Sequence, residues 1–162
     1  MEPEIIFRPI GFVRSSFTEP RGTPIQPSAS RETRGIVELL PQYREGLQDL
    51  EGFSHLILLY HFHLTRGFAL KVKPFLDNQE RGVFATRAPS RPNPIGLSIV
   101  RLERLEGVRL HIREVDIVDG TPVLDIKPYV PRFDLRTDAT SGWLAQYLDR
   151  LERTRDDGRF VP

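Results

Sequence analysis

A chain of 162 residues, 39% hydrophobic and 28% charged, is long enough for one domain with a real core and has an ordinary globular composition. Its 23 Lys and Arg against 22 Asp and Glu leave a net charge of +1, which excludes a polybasic nucleic-acid binder and leaves such a partner only a local patch. With no cysteine there are no disulfides, zinc–thiolate sites or thiol nucleophiles.

Fourteen prolines and 12 glycines punctuate short runs rich in Val, Ile, Leu and Phe, which favours strands and turns over long helices. The acidic start, Met1-Glu2-Pro3-Glu4, lacks a signal-peptide pattern, and no apolar run reaches the length of a membrane span, so a cytoplasmic location is expected. Ile5 to Val13 reads as a first strand. Glu19 to Arg34, with Pro20, Gly22, Pro24 and Pro27, is a long irregular loop of the kind that carries function. Gly35 to Leu40 is a second strand, and Pro41 to Leu50 holds one or two helical turns with proline at the start. Phe53 to Phe62 is almost wholly apolar and fits a central buried strand. Leu64 to Gln79 has no clear period. Gly82 to Thr86, Leu97 to Leu105, Val108 to Val118 and Pro122 to Ile126 read as strands, with Asp119-Gly120 a hairpin turn between the last two. Ala139 to Arg153 carries Trp143, Leu144, Tyr147, Leu148 and Leu151 at the spacing of one amphipathic helix. The expected fold is mainly β: a single antiparallel β-barrel domain over residues 1–138, with a short C-terminal helix and tail over 139–162.

Two stretches stand out. In the first, Leu110 and Ile112 alternate with Arg109, His111 and Arg113, but beyond Glu114 the apolar positions move to Val115 and Ile117. A one-residue shift turns side chains to the other face, and a β-bulge near Arg113-Glu114 is the simplest repair. Asp116 interrupts this apolar stretch, so it demands a partner and could balance a cationic ligand. The second stretch runs from Phe84 to Gly96 and packs Pro89, Pro92 and Pro94 around Arg87 and Arg91. Each proline fixes its own φ and restricts the residue before it, so little entropy is lost when a ligand orders the loop. Both arginines are expected on a stiff frame.

Other chemistry is weakly supported. His61 and His63 share a strand face and could begin a metal site, but the third ligand is missing, so no metal is expected. His55 reads as a hydrogen-bonded residue at a strand start, and His63 is better placed to touch a ligand. There is no Gly-x-Ser-x-Gly elbow, no P-loop and no Gly-x-Gly-x-x-Gly after a strand. Asp119 reads as a turn residue, and Asp125 and Lys127 as a same-face pair.

Pro9-Ile10-Gly11-Phe12-Val13-Arg14-Ser15, Glu51-Gly52-Phe53-Ser54-His55-Leu56, Val83 to Gly96 with its Arg-Pro-Asn-Pro-Ile-Gly, and Asp119 to Tyr129 together resemble the TsaA-like family, which includes the TrmO-type tRNA methyltransferases. The resemblance spans roughly Ile6 to Asp134. It implies a β-barrel that binds S-adenosyl-L-methionine at or near a homodimer interface. It also implies N6-methylation of threonylcarbamoyladenosine beside the anticodon, with the tRNA anticodon stem-loop as partner. The alternatives are the same cofactor site acting on a different small substrate, or a non-catalytic cofactor-sensing or RNA-binding module.

The resemblance places cofactor contacts on Gln26, Pro27, Ser28, His63, Leu64, Arg87, Leu97, Arg113, Glu114, Val115 and Asp116. Arg87 is also the catalytic candidate, holding a substrate carboxylate or phosphate. Arg66, Lys71, Lys73 and Arg91 are candidates for the anticodon backbone. The chain departs from the family in two places. Ile25 stands where members with Pro-Arg-Gln carry arginine, a charge that Arg21 or Arg31 could supply. Longer bacterial members have a further C-terminal domain, whereas here a short helix is expected after Asp134.

Overall fold

The computed structural model describes residues 2–26 and 31–162. Six strands close into an antiparallel barrel: β1 (Gly11–Arg14), β2 (Arg34–Leu39), β3 (His55–His61), β6 (Ile95–Glu106), β7 (Arg109–Arg113) and β8 (Pro122–Pro128). Their order around the barrel is β1-β2-β7-β6-β3-β8. A separate pair, β4 (Lys71–Val72) and β5 (Arg81–Gly82), stands before the proline-rich loop. α1 (Pro131–Asp134) follows the barrel. Among the described residues no helix is long and apolar enough to cross a membrane.

The core follows from strand alternation. Along β3, Leu56, Leu58 and Tyr60 turn inward; along β6, Gly96, Ser98, Val100 and Leu102 do so. They meet Val13, Val37, Leu110 and Ile112, all fully buried. Closure removes the sheet edges that a flat six-stranded arrangement would expose.

The chain differs from expectation in four elements. The first strand begins only at Gly11; Ile5, Ile6 and Phe7 are exposed and outside any strand. Past Gly82 the expected strand is a 3-10 turn, Val83–Ala85, because the Thr86 hydroxyl and amide both donate to the Val83 carbonyl (2.8 and 3.1 Å) and close the chain on itself. The expected strand from Val108 to Val118 stops at Arg113. No bulge forms there: Glu114 takes φ 66°, the chain leaves the sheet, and Val115 and Ile117 drop into the core from a new direction. A left-handed glutamate is strained by roughly 1–3 kcal/mol. Burial of those two side chains offsets it, Val115 lying against Gly35, where a Cβ would leave only 3.1 Å to the nearest methyl. A register shift does occur opposite, on β6 between Leu102 and Arg104.

Finally, residues 139–153 form two 3-10 turns, Gly142–Gln146 and Leu148–Arg150, rather than one amphipathic helix. Gly142 has φ 54°, and the Trp143 indole N–H donates to the Ala85 carbonyl at 2.8 Å while Arg81 lies 5.2 Å over its ring. Anchoring the aromatic face to the neighbouring loop outweighs helical continuity over so short a segment. Asp125 pairs with Lys127 at 2.8 Å, as expected. Asp119 is a turn residue that accepts from the Ser15 amide at 3.1 Å, but its turn makes no hairpin: β8 pairs with β1 and β3 and not with β7, because the chain has already left the sheet at Glu114. The His55 Nδ1 and the neighbouring Ser54 hydroxyl are hydrogen-bonded at 2.8 Å.

Gly96 is required by a close approach. It sits opposite Tyr60 in the β3–β6 register, and a Cβ at this position would collide with the Tyr60 ring. The ring is also held edge-on by Phe62 at 5.5 Å. Gly96→Ala is expected to destabilise the barrel by about 1–3 kcal/mol, as overpacking does. A thermal melt reads this directly; an unchanged Tm would mean that the ring has room to retreat.

Candidate ligand-binding site

One end of the barrel opens into a cavity of about 310 Å³, within the size range of small-molecule sites. Five segments of the barrel and its loops line it, together with Phe75 and the C-terminal tail. The end of β3 supplies Tyr60, Phe62, His63 and Leu64, and the start of β6 supplies Ile95, Gly96 and Leu97. The stretch released by Glu114 supplies Asp116 and Ile117, and the early loop supplies Pro24, Ile25 and Gln26. The proline-rich loop supplies Thr86, Arg87, Pro89 and Arg91.

The floor is a hydrogen-bonded chain. The Ser98 hydroxyl donates to Asp116 Oδ1 at 2.6 Å, and the Tyr60 hydroxyl lies 2.8 Å from Ser98 Oγ. Since Ser98 has a single proton, already given to Asp116, Tyr60 is the donor in the second bond. Burial pushes the Asp116 carboxyl up to about 7, against the opposing pull of its hydrogen bond from Ser98 and of the Arg87 charge. Burial and the nearby Asp116 carboxylate push the Tyr60 phenol well above its ordinary range, so it stays protonated. A carboxyl held up by burial is one whose charged form a neighbouring cation would stabilise.

The rim carries the opposite charge. Arg87 is exposed and its Nη1 donates to Gln26 Oε1 at 2.9 Å. Arg91 is part of the frame: its Nη1 donates to the Thr86 and Ala88 carbonyls, both at 3.0 Å. The Ala85 carbonyl is taken by Trp143, so three carbonyls around Arg87 are tied down. The stiffness expected from the prolines is reinforced by this stapling, which leaves Arg87 facing the cavity. Burial and the adjacent His61 lower the His63 pKa, so His63 is neutral at physiological pH.

Gln26, His63, Leu64, Arg87, Leu97 and Asp116 are thus brought together around one cavity. Three of the other expected contacts are not. Arg113 turns outward to Glu103, at 2.6 Å from Nη2 and 2.7 Å from Nε. The Val115 side chain is fully buried in the core, and Glu114 is the left-handed hinge; neither lines the cavity. Pro27 and Ser28 lie outside the described residues. Ile25 is in the cavity wall, whereas Arg31 is drawn to Glu152 at 4.0 Å, and neither it nor Arg21 lines the cavity. Arg66, Lys71 and Lys73 are exposed. Among the described residues no group of three or more His, Asp or Glu is arranged to hold a metal ion.

Sequence reasoning missed Tyr60 and Ser98, the floor of the site. Their signal was available: Tyr60 is a hydroxyl-bearing residue in an aliphatic strand, and Ser98 is a polar residue at an inward position of β6. It also missed Asp156, Phe160 and Val161, which line the cavity from the C-terminal tail and have no periodic pattern to announce them.

The chain is 55% identical over 156 residues to a "Probable S-adenosyl-L-methionine-binding protein" of Pyrococcus abyssi, covering 96% of this chain and 85% of that one. It is 40% identical over 137 residues to the tRNA (adenine(37)-N6)-methyltransferase of Mus musculus, covering 80% of this chain but only 32% of the mouse protein. The crystal structure of TrmO from Pseudomonas aeruginosa superposes with a TM-score of 0.74 at 45% identity, over 87% of this chain and 63% of that one. The chain therefore spans less than two thirds of the solved TrmO and about a third of the mouse enzyme. A model of the tRNA-methyltransferase O N-terminal domain matches residues 12–135. With its closed barrel and terminal cavity, the chain belongs to the tRNA-methyltransferase O N-terminal domain family.

Proposed function

We propose that the chain is an S-adenosyl-L-methionine-dependent tRNA methyltransferase that methylates N6 of threonylcarbamoyladenosine next to the anticodon. The observation that carries this reading is the poised Asp116 carboxyl under an apolar cavity, with the Arg87 guanidinium at its rim. Those groups fit the cofactor's chemistry: Asp116 faces a cation, Arg87 takes a carboxylate, and Tyr60, Phe62, Leu64 and Leu97 supply apolar wall. When bound, the cofactor supplies an electrophilic methyl on a sulfonium.

The residues of the chain position and shield. The Tyr60–Ser98–Asp116 chain fixes the carboxyl, and the stapled loop fixes Arg87, so both charges are held before the ligand arrives. Methyl transfer is an in-line displacement, in which orientation alone can lower the barrier by about 7–11 kcal/mol. The carbamoyl group acidifies the N6 proton of the substrate, which eases its loss to solvent as the methyl bonds to the nitrogen. Exposed Arg66, Lys71 and Lys73 suit the anticodon phosphates. Phe68, Leu70 and Phe84 are 60%, 62% and 76% exposed beside the loop and support a homodimer.

Two measurements test the reading. Calorimetry with S-adenosyl-L-methionine is expected to show one site per chain; a folded protein with no binding would refute the enzyme. Mass spectrometry of tRNA nucleosides after incubation with tRNA that carries threonylcarbamoyladenosine without its N6-methyl is expected to show methylated threonylcarbamoyladenosine. Cofactor binding without that product would point the same cavity at another substrate.

A further inference from the structure

Residues 155–162 lie beyond the family match at 12–135 and outside the barrel, yet they close one side of the cavity. The segment is docked along its length. Arg155 bridges to Pro24; the Gly22 amide donates to the Asp156 carbonyl at 2.6 Å, and the Asp156 amide donates to the Thr23 carbonyl at 2.8 Å. Arg159, paired with Asp157 at 2.6 Å, donates to the Lys73 and Pro74 carbonyls at 3.3 and 2.9 Å. Phe160 packs on Val72, Val83 and Ala88 and meets Phe75 edge-on at 5.1 Å. This docking joins the early loop to the strand pair and turns Asp156, Phe160 and Val161 toward the site.

Asp156 is the informative one. Its Oδ1 accepts from the Gly158 amide at 2.6 Å, and its Oδ2 has no partner among the described residues. Burial raises its pKa, with Asp157 adding to the effect and Arg159 opposing it. The charges around the cavity can now be matched to a ligand. The carboxylates are Asp116 and Asp156, His63 is neutral, and the guanidiniums are Arg87, whose Nη1 donates to Gln26, and Arg91, whose Nη1 donates to two carbonyls of its own loop. The two carboxylates suit a ligand with two positive groups, and the guanidinium at the rim, Arg87, suits one negative group. S-adenosyl-L-methionine has that inventory: a sulfonium, an α-ammonium and an α-carboxylate.

We propose that Asp156, brought to the cavity by the C-terminal tail, binds the α-ammonium of the ligand's amino-acid end, while Asp116 answers the sulfonium and Arg87 the carboxylate. The assignment rests on the methyltransferase reading above and extends the binding site beyond the matched domain. Asp156→Asn isolates it, because the amide oxygen still accepts from Gly158 and the tail stays docked.

The test is calorimetry of the full chain with three probes. S-adenosyl-L-methionine has all three charged groups, S-adenosylhomocysteine lacks the sulfonium, and 5′-methylthioadenosine lacks them all. Asp156→Asn is expected to weaken the first two by about tenfold or more, the typical loss for a charge-assisted hydrogen bond, and to leave methylthioadenosine binding unchanged, which also shows a folded pocket. Undiminished S-adenosylhomocysteine binding would overturn the assignment, because the ammonium would then have another partner. Equal loss of all three probes would overturn it in favour of a purely structural tail. If the unaltered chain binds none of them, the methyltransferase reading itself fails and this assignment with it.

Discussion

At pH 8 the Asp116→Asn variant is expected to melt on the order of ten degrees above the unaltered chain, and at pH 4 the two are expected to melt together. Burial raises the folded-state pKa of Asp116 from 3.8 to about 7. Below pH 4 the group is neutral folded and unfolded, so it imposes no penalty. Between pH 4 and 7 the unfolded chain releases this proton and the folded chain keeps it, so stability falls as pH rises. Above pH 7 the full penalty applies: at 1.36 kcal/mol per unit, the shift from 3.8 to about 7 corresponds to about 4 kcal/mol. Asparagine removes the ionisation while its amide oxygen still accepts from Ser98, so the floor of the cavity is retained. The same Tm difference at both pH values would show that the gain has nothing to do with charge.

That penalty is what a cationic ligand relieves. A sulfonium beside Asp116 favours the carboxylate, so binding releases a proton near neutrality, and the preference for S-adenosyl-L-methionine over S-adenosylhomocysteine should widen as pH rises through 7. The variant that gains stability should lose this preference. A destabilised charged group at a site that needs it is a common form of the stability–activity trade-off.

Much of the architecture was legible because alternation and turn chemistry are local. Leu56, Leu58 and Tyr60 are inward by strand period alone, and Asp119-Gly120 is a turn as its composition predicts, though the strands before and after it do not pair with each other. The break in period after Arg113 was legible too, but not its form. Whether a phase error becomes a bulge or a strand end depends on what waits on the other face, here the space beside Gly35 that Val115 fills. The terminal segment misled for a related reason. The spacing of Trp143, Tyr147 and Leu151 is helical, but Trp143 bonds to Ala85, 58 residues away, and no periodicity encodes that contact. In the site, Arg87 and Asp116 could be found because each is a charge in the wrong company. Tyr60 with Ser98, and Asp156 with Phe160, meet only through tertiary contacts.

Arg87→Ala is expected to keep the fold and to lower kcat/KM for tRNA methylation by about a hundredfold or more, the usual effect of deleting a charged donor from a preorganised site. The fold is safe because Arg87 is exposed and its bond to Gln26 is made at the cavity rim, not in the core. Arg91 does the structural work of the loop, and the prolines are unaltered. Activity is vulnerable because Arg87 lines the cavity at its rim and is tied only to the Gln26 side chain, whereas Arg91 is turned to two carbonyls of its own loop. A second readout separates this role from simple crowding. The Arg87 charge lowers the pKa of Asp116, so its removal should move the pH profile of cofactor binding upward. Arg87→Lys restores the charge without the planar fork, and should return the pH profile but only part of the rate. An Arg87→Ala enzyme as active as the parent at saturating cofactor and tRNA, with an unshifted profile, would place the essential cation elsewhere.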